Sequence, residues 1–194
     1  MKVNLAELSQ IYLAYKSEWL RCISLTKLVA VVERKYSGKT KVIEHLISEL
    51  KRQGYHVGTI KEMVRVQTLD TLATETDRYS DAGAEIIVAV PRKETVLFIK
   101  KRLSVKEILP YSKGLDYVIL EGFETERALP KIIAEKTADE TKDYLDSLTV
   151  AITGLIVESE EELRKTAGFK VPVFKSLTQA REIADLVERK AITY

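Results

Sequence analysis

The chain has 194 residues, 45% of them apolar, enough to bury a core of its own, and its 31 basic residues nearly balance 29 acidic ones. A formal charge of +2 is no footprint for nucleic acid, and a single cysteine, Cys22, excludes an internal disulfide framework. No signal-peptide pattern opens the chain and no apolar run reaches the roughly 18 residues of a membrane span, so the expectation is a cytoplasmic protein that binds neither membrane nor nucleic acid.

Leu5, Leu8, Ile11, Tyr12, Tyr15, Trp19 and Leu20 fall three and four apart, one face of a helix, so residues 1–26 read as an N-terminal helical extension. Leu28 to Val32 is an unbroken β-rich run, the mark of a central parallel strand covered on both faces. After a turn, Val42, Ile43, Leu46, Ile47 and Leu50 have helical spacing, stopped near Gly54, and Tyr55 to Lys61 reads as a second strand. Strand, helix and strand in this order make a βαβ unit with a right-handed crossover. Residues 63–84 are polar and threonine-rich, a long loop with a helix starting near Thr76. Glu85 to Val90 and Thr95 to Lys100 flank Pro91-Arg92-Lys93-Glu94 as a β-hairpin, expected at an antiparallel edge of the sheet. A short helix over Ser104 to Ser112 and strands at Tyr117 to Leu120, Lys131 to Glu135 and Thr149 to Ile152 follow. A helix over Glu160 to Thr166, a strand at Val171 to Phe174 and a helix over Thr178 to Lys190 close the chain. The pattern predicts a single α/β domain over residues 27–194, with a mixed, mainly parallel sheet flanked by helices.

Three groups of residues carry chemistry. Ser37-Gly38-Lys39-Thr40 stands between a strand and a helix, where a phosphate-binding loop places its glycine, lysine and hydroxyl. The loop pattern wants another glycine five positions before Gly38, and Glu33 stands there. A side chain directed away from the loop leaves room for a phosphate, whereas one directed into the nest of backbone N–H groups closes it. Glu121 ends an apolar strand and is followed by Gly122; if that strand neighbours the first, its carboxylate points at the loop and can serve a metal ion or a water. Lys61, Asp70, Glu75, Thr76 and Arg78 follow the second strand, where switch segments of such proteins order around a γ-phosphate. His45 and His56 lack supporting cysteines, short of the about four ligands of a structural zinc.

Taken together, these segments resemble the MobB family of molybdopterin-guanine dinucleotide biosynthesis accessory proteins. The likeness runs from about Leu28 to the C-terminus. It is carried by Ser37-Gly38-Lys39-Thr40, Gly58-Thr59-Ile60-Lys61, Glu75-Thr76-Asp77-Arg78 with Ala82-Gly83-Ala84, and Leu120-Glu121-Gly122-Phe123 followed by Pro130-Lys131-Ile132. The resemblance implies a P-loop NTPase-like fold, a homodimer, GTP with Mg2+ as ligands, at most slow hydrolysis, and a MobA-like molybdopterin nucleotidyltransferase as partner. Carried onto this chain, Lys35, Tyr36, Ser37, Gly38, Lys39 and Thr40 would hold the phosphates, and Thr40, Glu121 and Asp70 the metal; no residue is assigned to catalysis. The chain departs from the family's pattern at Glu33, at Glu62-Met63-Val64-Arg65 where histidines are usual, at Leu72-Ala73 in place of Pro-Gly, and at Gly154 where an aspartate would read a base. Those departures motivate the alternative of a scaffold for a cofactor-processing partner that binds no nucleotide. A small-molecule kinase using the same loop has no assignable acceptor site.

Overall fold

The structure, a computed structural model, describes residues 25–34, 36–64, 75–126 and 128–194. The N-terminal amphipathic stretch, Lys35 and Asp70 lie outside the described residues. Contacts divide the chain into two compact units, one of residues up to Glu62 with Ser112–Tyr194, the other Met63–Tyr111.

In the first unit, β1 (Lys27–Val32) is the central strand, and Leu28 to Val32 are all buried, as their unbroken apolar run dictates. It pairs in parallel with β5 (Tyr117–Glu121) on one side and β6 (Lys131–Ala134) on the other. β2 (Val57–Lys61) continues the sheet beyond β5, and β7 (Thr149–Thr153) beyond β6. A two-residue strand, β8 (Ile192–Thr193), runs antiparallel to Lys27 and Leu28, below the point where β6 begins to pair at Ala30.

Between β1 and β2 runs α1 (Lys39–Arg52), whose stripe of Val42, Ile43, Leu46 and Leu50 buries against Val29, Val31, Ile119 and Ile132 of the sheet. Ile183, Ala184 and Val187 of α6 (Ala180–Lys190) join the same cluster. Each buried aliphatic side chain contributes about 1.5–3 kcal/mol relative to exposure. The helix stops at Gln53, and Gly54 takes φ 92°, a left-handed conformation that glycine adopts without a Cβ penalty. Two further short helices, α4 (Ala138–Lys142) and α5 (Glu160–Lys165), are capped by the hydroxyls of Thr137 and Ser159.

In the second unit, β3 (Ile86–Ala89) and β4 (Val96–Ile99) form the expected hairpin, with α2 (Glu75–Asp81) against β3. A capping box between Ser104 and Glu107 starts α3 (Val105–Ile108). The hairpin is a two-stranded sheet of its own, so it is not the antiparallel edge of the main sheet. The expected strand at Val171 to Phe174 is also corrected, to a single bridge between Val173 and Ile152. Pro172 accepts from the Ile152 N–H at 2.9 Å but has no N–H to give, which limits the ladder.

Candidate functional site

Parallel strands bring their carboxyl ends to one edge of the first unit, and the residues there come from four strands. Glu33 follows β1, Lys61 ends β2, Glu121 ends β5 and Glu135 follows β6. Glu121 is in register with Val31 on one side and with Lys61 on the other, so the neighbouring-strand condition for Glu121 holds.

The turn from β1 into α1 has two left-handed residues, Tyr36 at φ 62° and Gly38 at φ 96°. Alternation of this kind turns successive N–H groups to one side and makes an anion nest at the helix N-terminus. Gly38 is required by its φ rather than by crowding, since an added Cβ would meet Leu155 only at ordinary contact distance. Tyr36 is exposed, with the Lys136 ammonium 5.7 Å from its ring centroid, and holds a strained conformation of the kind that clusters at functional turns.

Glu33 turns back into this nest. Its Oε2 accepts from the Ser37 hydroxyl and from the Lys39 backbone N–H at 3.1 Å, and its Oε1 lies 3.3 Å from the Lys39 ammonium. A helix N-terminal N–H and an ammonium are the groups that a phosphate oxygen meets in a P-loop. Ser37 is fully buried, and the Glu33 and Lys39 side chains are 16% and 13% exposed, so water screens these contacts little.

Lys39 bridges to a second carboxylate, its ammonium 4.0 Å from Glu121 Oε1. The same oxygen takes the Lys61 ammonium at 2.9 Å. Lys61, Glu121, Lys39 and Glu33 therefore alternate in sign across the edge of the sheet. Magnesium asks for near-octahedral oxygen coordination, about six ligands. Here Thr40 is exposed on the first turn of α1, Glu121 faces two ammonium groups, and no cluster of three metal-binding side chains stands among the described residues. With Glu121 already paired to two ammonium groups, the described side chains leave water and phosphate oxygens to supply most of a magnesium shell.

Two carboxylates shape the surrounding backbone. Glu62 Oε2 accepts from the Phe123 N–H at 3.0 Å and so clamps the turn of Gly122 and Phe123, both at positive φ, after β5. Glu135 is wholly buried; its Oε1 accepts from the Arg34 N–H, and its Oε2 finds no partner among the described residues. Burial pushes the Glu135 carboxyl up to about 7, against the pull of the Arg34 N–H. The loop after β7 braces the same region, with the Leu155 N–H on the Ser37 carbonyl at 2.9 Å and the Ile156 N–H on the Glu135 carbonyl at 2.8 Å. Gly154 makes this approach at φ 96°, where an added Cβ would come within 2.9 Å of the Ser37 carbonyl oxygen and 2.7 Å of the Glu135 nitrogen. No aspartate fits at position 154 in this packing.

Beside the loop lies a cleft of about 360 Å³, lined by Gly38, Lys41, His45, Leu155, Glu158 and Thr178 among others, with His45 Nδ1 3.2 Å from the Ser176 hydroxyl. Of the residues singled out in the sequence, Tyr36, Ser37, Gly38, Lys39, Thr40, Glu121 and Lys61 meet in the first unit, while Glu75, Thr76 and Arg78 belong to α2 of the second. Glu135 escaped notice, although the rule that found Glu121, an acid at the carboxyl end of an apolar strand, applies to it equally. The cleft residues come from three distant segments and carry no shared motif.

A central strand, a nest-forming turn and a helix that opens with lysine and threonine, at the carboxyl edge of a parallel sheet, define a P-loop-type α/β protein. The family model described as molybdopterin guanine dinucleotide synthesis protein B matches residues 28–158, and the chain belongs to this MobB family. A Methanocaldococcus jannaschii protein named as a molybdopterin-guanine dinucleotide biosynthesis adapter protein is 33% identical over 131 residues, 65% of this chain and 54% of its own length. The chain thus spans about half the length of that relative. A Bacillus subtilis protein of the same designation is 28% identical over 152 residues, 76% of this chain and 84% of that one. Among solved structures, Bacillus subtilis MobB superposes with a TM-score of 0.67 at 22% identity, covering 86% of this chain and 98% of the other. A MobB homologue from Bacillus stearothermophilus gives 0.59 at 20% identity, covering 84% and 96%. These two establish the shared fold.

Proposed function

We propose that this protein is an adapter in the biosynthesis of a molybdopterin-guanine dinucleotide type of cofactor, and that its nucleotide-phosphate cradle is closed in the resting state by its own Glu33. Family membership and the names of the relatives support the pathway. The observation that carries the closed cradle is the Glu33 carboxylate on the Ser37 hydroxyl, the Lys39 N–H and the Lys39 ammonium. An adapter of this kind engages a MobA-like molybdopterin nucleotidyltransferase without needing bound GTP. Co-purification of the two full-length proteins tests this: capture at equal yield with and without GTP is expected, and capture only with GTP contradicts it.

A second reading, GTP binding with slow hydrolysis, is favoured by the survival of Lys39 and Thr40 and by the cleft beside Gly38, large enough for a nucleoside. On this reading Glu33 swings out as nucleotide enters. No arginine finger or water-positioning glutamine is assignable, so turnover is slow at best. Titration of the purified chain with a fluorescent GTP analogue separates the two: saturable binding at micromolar nucleotide supports the second, and none at millimolar the first.

The homodimer implied by the resemblance has a candidate surface in the second unit. Ile86, Val88 and Leu97 expose an apolar row on the outer face of the hairpin, and Ile86 pairs across with Ile99. The hairpin packs against α2, and a second copy seated on this exposed row would bury its other face.

A further inference from the structure

We propose that the ammonium of Lys61, rather than a divalent metal ion, is the resident cation at Glu121, so that the opened cradle takes a polyphosphate chain without magnesium. This rests on the reading of the Ser37 to Thr40 turn as a phosphate cradle. The pairing is built into the sheet: Lys61 and Glu121 are in-register neighbours on adjacent parallel strands, on the same face, at the carboxyl edge. Their charged atoms meet at 2.9 Å, and Lys39 lies 4.0 Å from the same carboxylate oxygen.

A dication arriving at Glu121 must expel the Lys61 ammonium or sit between two ammonium groups, with twice the repulsion that a single charge would feel at each distance. The two nearly buried carboxylates it meets among the described residues, Glu121 and Glu33, are both already paired with the Lys39 ammonium, and Glu121 with Lys61 as well. Lysine demands no octahedral shell: its ammonium is a point charge that accepts any arrangement of oxygens around it. When Glu33 leaves the nest, the groups that face an entering phosphate are the Lys39 and Lys61 ammoniums, the turn N–H groups and Glu121, an excess of one positive charge. That excess, supplied by Lys61, is what a metal ion supplies in a magnesium-dependent site. Lys61 thus acts as a specificity-determining residue, selecting metal-free polyphosphate.

Two measurements on the full chain test this. Electron paramagnetic resonance of free Mn2+ reports metal binding directly, without any nucleotide. The wild type is expected to bind none at millimolar Mn2+, and Lys61→Ala to gain a site at least about tenfold tighter that Glu121→Gln removes in that background. Manganese bound by the wild type and lost in Glu121→Gln overturns the proposal, as does a Lys61→Ala variant that binds no better than its parent. In the second measurement, inorganic triphosphate is titrated into Glu33→Gly with EDTA and with Mg2+. Affinities equal within about threefold support metal-free binding, and a loss of about tenfold or more in EDTA overturns it. Triphosphate bound under neither condition counts against the phosphate cradle itself, and the manganese measurement then still decides the role of Lys61.

Discussion

Replacing Glu33 by glycine restores the loop pattern at its missing position and removes the carboxylate from the nest. In the wild type that carboxylate holds the Ser37 hydroxyl, the Lys39 N–H and the Lys39 ammonium. A hydrogen bond to a charged group is worth about 1.5–3 kcal/mol net, so vacating the two hydrogen bonds alone costs about 3 kcal/mol at the low end. At about 1.4 kcal/mol per decade, the wild type binds triphosphate at least about 100-fold more weakly than an open cradle. The assay is equilibrium titration of inorganic triphosphate and of a fluorescent GTP analogue into wild type, Glu33→Gly and Glu33→Ala. The expected values are about millimolar or weaker for the wild type and about 10 μM for both variants. The alanine variant separates loss of the carboxylate from gain of glycine's backbone freedom. Variants that bind within about threefold of the wild type, or more weakly, would show that Glu33 does not compete for the anion seat.

Three further outcomes follow from the same geometry. Gly154→Ala forces a Cβ to within 2.9 Å of the Ser37 carbonyl at φ 96°, and a loss of at least about 2 kcal/mol in chemical denaturation is expected; an unchanged midpoint contradicts the close approach. Glu135 keeps its proton to higher pH when folded than when unfolded, so it contributes stability that is fully present below about pH 4.5 and lost as pH rises through about 7. Denaturation across that window should show Glu135→Gln losing less stability than the wild type, by about 3 kcal/mol at full effect, and parallel profiles contradict the assignment. Val88→Glu on the outer row of the hairpin should shift the chain from dimer to monomer in light scattering at unchanged circular dichroism, and an unshifted mass rules that surface out.

Most of the sheet was legible because its strands are buried on both faces and so carry unbroken apolar runs, Leu28 to Val32 and Tyr117 to Leu120 above all. Helix α1 was legible because one face alone is apolar. The failures have local causes. Pro172 hides in an apolar run and breaks its ladder, and β8 is two residues long, too short for any periodicity. The hairpin is visible from its turn, but not that among the described residues it forms a two-stranded sheet of its own, since pairing partners are set by tertiary contacts. At the site, the sequence supplied Lys39, Thr40, Glu121 and the anomaly at Glu33; it could not supply the direction of the Glu33 side chain. That direction follows from the left-handed turn at Tyr36 and Gly38, which carries the Lys39 N–H back over the end of β1. In the sequence Lys61 stands at the head of a loop, and its pairing with Glu121 depends on β2 and β5 being neighbours in register, which tertiary structure alone decides.

Glu33 occupies the anion seat of this cradle, and a crystal structure of the wild-type chain grown with millimolar GTP would show it in place. The expected density has the Glu33 carboxylate on the Lys39 N–H and no phosphate in the turn, while Glu33→Gly crystals grown alike hold a phosphate there. A wild-type crystal with the β-phosphate on the Lys39 N–H and Glu33 turned outward contradicts it.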